Sequence, residues 1–575
     1  MSDHYKIAIV GVGPRGLAAL ESLFIAKKTF NSNSKIKVIL FEASAYPGAG
    51  QIWTPNQVET NLSNVHERNL SNNLAGREAL HFDDVFIPEF PGYKNWLTTA
   101  EADYSKQDVF PSRSKLGSYL NERFNTLKTA LEGADLVTLY QKEVVQVEPS
   151  QNGCVVFIDD AQFEVDEAVL TIGHQPTYDS DQLKNWAEHA DVTDLKLYED
   201  PYPVGALETD SISAETTIAL RGFGLSMVDQ VRALSIGFGG VFKEKADSIY
   251  YEYIPSDKAP KQLVAFSLNG LPPAPKPVSA SVDCWFKPNE QETQSLINAI
   301  EKAEQNADSI KDASFLIEAL AQMTASVYLR MEAHSRKHEL NLKELAQLTA
   351  QLITEPKTSH DLILKHDLPA LEAMQCLLKM AYGKVAISLD YCLGQVWRYA
   401  LGILYHDYTY LNLPDAAIVD VVKYIEASKR YSYGPPVASL QQLIALVEAN
   451  VLNLDFVNDP KITPVKNGWQ LEKNNKTVVA QVMVNSVIDA PQIVAVSSGL
   501  IQQLLADKRI DPVSYKLGLH TLEDGRIISQ GGNTHQNIAL LGRLAKGSIV
   551  GVDDLIECFG KPARKWAAGV IDRLK

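Results

Sequence analysis

The chain has 575 residues, of which 45% are hydrophobic and 22% are charged, and its formal net charge at pH 7 is -16. This is the composition of an ordinary globular protein with room for several domains. The negative charge argues against nucleic acid as a partner, because phosphate binding needs a basic face. Met1 to Tyr5 lead directly into a predicted strand and no long apolar run follows, so we expect a cytoplasmic protein with no signal peptide and no membrane span.

The first motif lies near the amino terminus, where IAIV leads into GVGPRGLAAL. Gly11, Gly13 and Gly16 fit the pattern G-x-G-x-x-G between a β-branched strand and a helix rich in Ala and Leu. In that pattern the glycines allow a tight turn, close approach of a pyrophosphate and helix packing, while the helix N-terminus offers N–H groups to the anion. A plain turn between a strand and a helix is the alternative interpretation.

The second predicted strand, KIKVILFEA, ends in Glu42, an acid suited to the hydroxyls of a ribose. Residues 47–64 then form a segment too polar and too rich in glycine and proline for a helix or strand, and too long for an idle loop. An amphipathic helix is expected from about Arg113, followed by short strands that end in VLTIG at Gly173.

A second unit with the same order of elements begins at Thr216, in TTIALRGFGLSMVDQVRAL. Gly222 and Gly224 keep the first two glycines of the pattern, whereas Met227 replaces the third. Two such units, each between a predicted strand and a predicted helix, favour two dinucleotide-binding units over chance.

The remainder of the chain changes character twice. Apolar residues recur at spacings of three and four over residues 289–454, which predicts a series of helices. Strands return after that, with a closing helix expected near Val552. The five cysteines form no close pair and the histidines show no paired-ligand spacing, so no disulfide framework and no metal site are expected.

At this point the sequence resembles the FAD–NAD(P)-binding family related to flavin-dependent monooxygenases, both class B and N-hydroxylating. The resemblance rests on segments that occur in the family's order over nearly the whole chain: GVGPRGLAAL, YPGAGQIW, PSRSKLGSYL, VLTIGHQP, GFGLSMVDQVRAL, NGLPP, YGPPVASLQQLIALV and ALLGRLAKGS. It implies an α/β fold with two Rossmann-like dinucleotide-binding domains and a large α-helical insertion. The implied order is residues 1–205 for the first part of the FAD-binding domain, 206–288 for the NAD(P)-binding domain, 289–470 for the helical insertion that completes this second domain, and 471–575 for the return to the FAD-binding domain.

The resemblance also implies site residues and cofactors, FAD together with NADPH or NADH. The cofactor-binding set is Gly11, Gly13, Pro14, Arg15, Gly16 and Glu42 for FAD, Gly222, Gly224 and Ser226 for the nicotinamide dinucleotide, and Gly173 and Gly542 at strand ends. Trp53, Gln57 and Asn64 resemble the loop beside the flavin ring and form the predicted catalytic set. Core filling is the alternative for Trp53, and Arg113 either positions the flavin side of the site or caps nearby carbonyl groups.

Two positions depart from the family pattern. Asn269 stands where an arginine for a 2′-phosphate is usual, and Lys258 or Lys261 are the candidates to supply that charge. Arg543 stands where many two-nucleotide flavoproteins carry an aspartate.

The implied activity is that of an NAD(P)H-consuming monooxygenase, an enzyme that reacts with molecular oxygen through a C4a-hydroperoxyflavin. Its substrate would be a small molecule, an amino acid or small amine that becomes N-hydroxylated. Two alternatives stay open, a flavin oxidoreductase that inserts no oxygen and a non-catalytic nucleotide-binding protein. No membrane partner is expected, and the sequence gives no indication of oligomeric state.

Overall fold

The computed structural model of the protein describes residues 4–97, 106–151, 153–207, 212–529, 531–532 and 534–575. The strands are β1 (Tyr5–Val10), β2 (Ile36–Phe41), β3 (Leu80–Phe82), β4 (Val85–Ile87), β5 (Val137–Tyr140), β6 (Gln146–Ser150), β7 (Gly153–Ile158), β8 (Ala161–Val165), β9 (Glu167–Leu170), β10 (Lys196–Tyr198), β11 (Thr217–Arg221), β12 (Val241–Glu244), β13 (Tyr251–Ile254), β14 (Gln262–Phe266), β15 (Leu452–Asn453), β16 (Lys461–Val465), β17 (Gly468–Lys473), β18 (Lys476–Ala480), β19 (Val482–Asn485), β20 (Arg526–Ile528) and β21 (Thr534–Leu540).

The α-helices are α1 (Pro14–Thr29), α2 (Glu67–Asn73), α3 (Tyr93–Trp96), α4 (Arg113–Gly133), α5 (Asp181–Thr193), α6 (Leu225–Arg232), α7 (Ala280–Asp283), α8 (Glu290–Gln305), α9 (Ser314–Arg330), α10 (Leu342–Thr354), α11 (Ala370–Ala381), α12 (Leu389–Ile403), α13 (Asp415–Ser432), α14 (Val437–Glu448), α15 (Gly499–Ala506) and α16 (Lys561–Arg573). Within the described ranges, no helix has the length and apolar character needed to cross a bilayer.

Strand β1 lies inside a six-stranded sheet with the order β20-β21-β9-β1-β2-β5. Neighbouring strands run parallel except β20 and β21, which are antiparallel. Ile7 and Ile9 pack on one face against α1, α4 and α16, while Ala8 and Val10 pack on the other face against the antiparallel sheet β6-β7-β8. Because both faces are covered, the strand is apolar at nearly every position.

Strand β11 lies at the centre of a second sheet, whose order is β10-β19-β11-β14-β15 with all neighbours parallel. Its strands come from both sides of the expected boundaries, since β10 precedes residue 206 and β19 follows residue 471. Each sheet thus has a central strand followed by a glycine turn and a helix. This arrangement confirms the predicted α/β class with two Rossmann-like units.

The helical insertion packs directly on this second sheet. Helices α8 to α14 occupy residues 290–448, and their apolar side chains share one core with Ile218, Leu220 and Leu263 of β11 and β14. The opposite face of the sheet is covered by α5 and the antiparallel sheet β16-β17-β18 through Trp186 and Trp469.

The helical part therefore ends at Glu448, and residues 461–480 form strands instead. The closing helix also begins at a different residue from the one expected. It begins at Lys561 rather than near Val552, and a single 3₁₀ turn over Ile556–Phe559 precedes it.

Candidate functional site

The first glycine turn holds α1 tightly against the end of β1. Gly11 has a φ of +86°, a conformation that side chains other than glycine rarely adopt, and a Cβ there would lie 2.8 Å from the carbonyl oxygen of Thr171. A Cβ on Gly16 would lie only 2.3 Å from the carbonyl oxygen of Gly11. Both glycines are thus required for packing.

The N-terminus of α1 opens on a large cavity of about 800 Å³, here named the central cavity. The helix begins at Pro14, and its N-cap residue Gly13 provides no side chain to satisfy the first N–H groups. A Cβ on Gly13 would have only the backbone of Gly50 within 4 Å. Uncapped N–H groups beside open space suit a diphosphate, so the turn fits the FAD group that the sequence implies.

Most of the predicted site residues line the central cavity. They are Gly11, Gly13, Pro14, Arg15, Glu42, Trp53, Asn64, Gly173 and Ser226. The predicted residues outside this lining are Gly16, Gln57, Gly222, Gly224 and Gly542.

Glu42 is buried at the end of β2, where its carboxylate organises the turn. One oxygen accepts the N–H of Val12 at 2.5 Å and the other accepts the N–H of Ser44 at 2.8 Å. Since each carboxylate oxygen has two acceptor sites, both can still accept a hydroxyl hydrogen from a ribose in the cavity.

Arg15 lines the central cavity, yet its guanidinium group is engaged by the C-terminal segment. It donates to the carbonyl oxygens of Gly551 at 2.8 Å and of Glu557 at 3.3 Å. Gly542 lets this side chain pass, because a Cβ there would lie 2.5 Å from Cδ of Arg15. The side chain of Arg15 thus anchors residues 551–557 beside the first turn.

The polar segment 47–64 forms one wall of the cavity through Trp53 and Asn64. Its close fit on α4 depends on Gly117, where a Cβ would lie 1.6 Å from the carbonyl oxygen of Trp53. Gln57 points into its own loop, donating to the carbonyl oxygens of Ile52 at 3.0 Å and Thr54 at 3.1 Å. Gln57 therefore shapes the loop that carries Trp53.

The second glycine turn reaches the same cavity. Gly224 is the N-cap of α6 without a side-chain cap, and a Cβ on it would have no heavy atom within 4 Å. The next residues, Leu225 and Ser226, line the central cavity. Met227, which stands at the position of the third glycine, is fully buried in the core. Two uncapped helix N-termini, from the two sheets, thus open on one space.

A buried ion pair joins the two units beside this space. Nη2 of Arg113 lies 2.6 Å from Oδ2 of Asp229 on α6, and the hydroxyl of Tyr202 donates to the same oxygen at 2.7 Å. Burial raises the pKa of Asp229, while Arg113 and Tyr202 act in the opposite direction. Arg113 also donates to the carbonyl oxygen of Leu62 at 3.3 Å. It therefore lines the cavity and also binds a local carbonyl oxygen.

His174 lies in the cavity wall next to Gly173. Desolvation by the surrounding residues, together with the charge of Arg543, lowers the pKa of His174, although its side chain is exposed at the cavity surface. The imidazole is thus neutral at pH 7, and it can accept or donate one hydrogen bond without adding charge.

Several cavity residues were not predicted from the sequence. Lys142 to Val145 follow β5 and Ile488 to Pro491 follow β19, so the rule that ligands bind at the carboxyl ends of parallel strands would have found them. Arg543, one of the two departures from the family pattern, also lines the cavity. Nothing in the sequence marks a further group, which comes from α13, the residue after it and the C-terminal segment: Glu426, Lys429, Tyr433, Lys546, Asp553 and Asp554.

The second sheet positions Asn269, one of the two residues that depart from the family pattern. Asn269 follows the carboxyl end of β14 and lines another cavity, of about 690 Å³, together with Lys365 and His366. Lys258 and Lys261 precede β14, whose first residue pairs with the first residue of β11. They therefore lie at the opposite end of the sheet from Gly222, about 16 Å away along the strand, and cannot supply the missing charge.

Comparison with known proteins supports the first unit. Residues 8–175 match the model of the FAD-NAD(P)-binding family. Nitrosuccinic acid synthase of Aspergillus oryzae is 26% identical over 281 residues, which is 47% of this chain and 41% of that protein. L-aspartate N-monooxygenase (nitrosuccinate-forming) of Streptomyces davaonensis is 25% identical over 296 residues, 47% of this chain and 44% of that protein. The match thus spans less than half the length of these relatives.

Among solved structures, L-lysine 6-monooxygenase from Pseudomonas syringae aligns with all of this chain and all of its own, at 11% identity and a TM-score of 0.41. A likeness of this size supports no conclusion about the present chain. The family match agrees with the geometry of the first glycine turn, which lies within the matched residues and leaves its helix N-terminus open. Residues 8–175 therefore form a domain of the FAD-NAD(P)-binding family.

Proposed function

We propose that the protein is an FAD-dependent, NAD(P)H-consuming monooxygenase that hydroxylates the nitrogen of an amino acid. The observation that carries this proposal is the opening of two uncapped helix N-termini, at Gly13 and Gly224, on one cavity. Two dinucleotides bound by these turns would bring their reactive rings to the same space. The names of the partial relatives point to an amino acid as substrate.

When bound, FAD would supply hydride acceptance from the nicotinamide and reactivity with molecular oxygen. The residues of the chain would hold and orient the two dinucleotides and shield the reacting atoms from water. The first N–H groups of α1 would bind the FAD diphosphate, and those of α6, beside Ser226, would bind the second diphosphate. Trp53 and the segment 47–64 form a wall that keeps water from the reacting atoms. The ion pair between Arg113 and Asp229 keeps the two turns facing each other.

The proposal is tested with purified protein, added FAD, and either NADPH or NADH. Oxidation of the reduced cofactor and oxygen uptake are followed with L-aspartate, other amino acids and small amines as candidate substrates. Isotopically labelled oxygen gas is used, and the products are analysed by mass spectrometry. We expect faster cofactor oxidation in the presence of one amino acid, and labelled oxygen on its nitrogen.

Other outcomes separate the alternatives. FAD-dependent oxidation of NAD(P)H without a labelled product for any candidate would contradict the proposal and favour a plain flavin oxidoreductase. Failure to bind FAD under these conditions would favour a non-catalytic nucleotide-binding protein.

A further inference from the structure

Five ionic side chains in the wall of the central cavity form a continuous series of alternating charge, here named the charge chain. Its order is Arg543, Asp553, Lys429, Glu426 and Lys546. Nζ of Lys429 lies 2.8 Å from Oδ2 of Asp553 and 2.9 Å from Oε1 of Glu426, while Arg543 pairs with Asp553 and Lys546 pairs with Glu426. All five residues line the cavity.

The charge chain joins three separate parts of the fold at the place where the two units meet. Glu426 and Lys429 are on the last turns of α13 in the helical insertion. Arg543 and Lys546 follow β21 of the first sheet. Nη2 of Arg543 also donates to the carbonyl oxygen of Asp489 at 2.7 Å, on the segment that follows β19 of the second sheet. The chain thus lies near the carboxyl ends of both sheets, where ligands of such folds bind.

The charge chain begins and ends on a cation, so it carries three positive charges and two negative charges. The pKa directions of Asp553 and Lys546 agree with this excess, whereas, against burial, Asp553 and Glu426 raise the pKa of Lys429. Burial by itself would raise the pKa of Asp553, but Lys429, Arg543 and Lys546 hold this pKa below its usual range. Burial, together with the charge of Lys429, lowers the pKa of Lys546. One additional anion would balance the set.

Donor atoms are also available for such an anion. Each ammonium group has three N–H donors. Within the described residues, Lys546 uses one of them, for Glu426, and Lys429 uses two, for Glu426 and Asp553. Asp554, the other carboxylate beside the charge chain, accepts the backbone N–H of Ile556 at 2.8 Å, and burial raises its pKa. Among the described residues, Asp554 forms no ion pair with Lys429 or Lys546.

We infer that Lys429 and Lys546 bind the side-chain carboxylate of the substrate and so select an acidic amino acid. This inference rests on the proposed function, since it assigns the substrate class of the same cavity. An acidic amino acid carries a second carboxylate, separated from its α-carbon by one or two CH₂ groups. The ammonium groups of Lys429 and Lys546 flank Glu426, and each has at least one N–H donor not used by a carboxylate of the charge chain. A neutral amide of the same shape would leave the excess positive charge unbalanced.

The test compares L-aspartate with L-asparagine, which have the same shape and differ in the charge of the side chain. Binding to the FAD-loaded protein is measured by titration calorimetry, and turnover by cofactor oxidation with product analysis. We expect the wild type to favour aspartate at least tenfold in both binding and kcat/KM. The variants Lys429→Met and Lys546→Met should each reduce this preference at least tenfold, mainly through KM.

Both methionine variants are expected to fold. In either variant every carboxylate of the charge chain retains one cation, because Asp553 keeps Arg543 and Glu426 keeps one lysine. Lys429→Arg is the conservative control and should restore the preference. Glu426→Gln increases the excess positive charge and should leave the preference for aspartate at least as strong.

The outcomes distinguish this inference from the proposed function. Equal binding of aspartate and asparagine by the wild type would overturn the inference, even where another amino acid is hydroxylated. An unchanged preference in Lys429→Met and Lys546→Met, with only a lower melting temperature, would also overturn it and leave the charge chain a structural tie. Selective, lysine-dependent binding of aspartate without any hydroxylated product would support the site and contradict the proposed function.

Discussion

Two glycines of the first turn meet different physical constraints although they are three residues apart. A Cβ on Gly16 would meet the carbonyl oxygen of Gly11 at 2.3 Å, whereas a Cβ on Gly13 would meet only the backbone of Gly50 at 3.6 Å. The φ of Gly13, −74°, suits any residue. Gly16 thus serves the fold, and Gly13 keeps the space that a diphosphate would occupy.

We therefore predict that substitutions of these two glycines affect different properties, FAD affinity for Gly13 and stability for Gly16. Gly13→Val should lower FAD affinity at least tenfold, about 1.4 kcal/mol, with little change in the melting temperature of the FAD-free protein. Gly16→Ala should destabilise the FAD-free protein by about 1–3 kcal/mol through overpacking. Flavin fluorescence titration and urea unfolding measure the two effects. Equal losses of stability in both variants would contradict the distinction.

Lys276 is a fully buried ammonium group that donates to the carbonyl oxygen of Asn64 in the cavity wall. Burial, together with Arg398, lowers the pKa of Lys276 from its ordinary value of 10.5 to about 7, against the opposing charges of Asp554 and Asp283. Between these two values the unfolded chain binds more protons than the folded chain. Ionised Lys276 therefore costs stability below pH 7, and the cost disappears as the pH rises toward 10.5.

We expect the wild type to gain stability relative to Lys276→Met as the pH rises from 7 to 10. The difference should be of the order of a few kcal/mol. Chemical unfolding at a series of pH values measures it. Lys258→Met, at an exposed lysine, is the control and should show no such relative change. Parallel pH curves for the wild type and Lys276→Met would refute the expectation.

The N-terminus of α6 is the element on which the second dinucleotide site depends. Gly224 has a φ of −115°, which suits any residue, and a Cβ there would have no heavy atom within 4 Å. Packing therefore does not require a glycine at this position, and the open space beside it would suit a bound dinucleotide. The first turn lies in the other sheet and shares no residue with it.

Gly224→Val is predicted to raise the KM for the reduced nicotinamide cofactor at least tenfold, because the side chain would occupy the approach to the first N–H groups of α6. FAD content and thermal stability should stay at wild-type values. Steady-state kinetics and the absorbance of the retained flavin measure both. Loss of flavin from this variant would show that the two turns do not act separately.

At the scale of the whole molecule, the helical insertion and the second sheet form one folding unit. Ile218 and Leu220 of β11 lie in the same apolar core as the helices of the insertion. The insertion also supplies Lys429 and Tyr433 to the wall of the central cavity. Without the sheet, these helices would expose their apolar faces to water, so we expect the helical region to be unstable when separated from the sheet.

Limited proteolysis of the full chain should therefore give no folded fragment of residues 289–450 alone. Any resistant fragment that contains α9 and α12 should also contain β11 and β14. Cleavage that removes this fragment from the protein should abolish activity. Mass spectrometry of the fragments and their circular dichroism measure this. A stable helical fragment of 289–450, released with activity left intact, would contradict the shared core.

The sequence by itself determined the features that depend on neighbouring residues. The two glycine turns, the helix that begins at Arg113, the short strands before Gly173 and the helices after residue 289 follow from periodicity and from the steric limits of turns. The α/β class with two Rossmann-like units follows from their order along the chain.

Only the tertiary structure decided which side chains face the central cavity. Gln57 turns into its own loop, Arg15 is engaged by carbonyl groups of residues 551–557, and Lys429 meets Asp553 from a position 124 residues earlier in the chain. These pairings depend on how distant segments pack, and the local pattern of residues contains no information about that packing. The turns were predictable because their constraint is short-range. The charge chain was not, because it depends on α13 packing beside Asp553 and Lys546, which lie 124 and 120 residues further along the chain from Lys429 and Glu426.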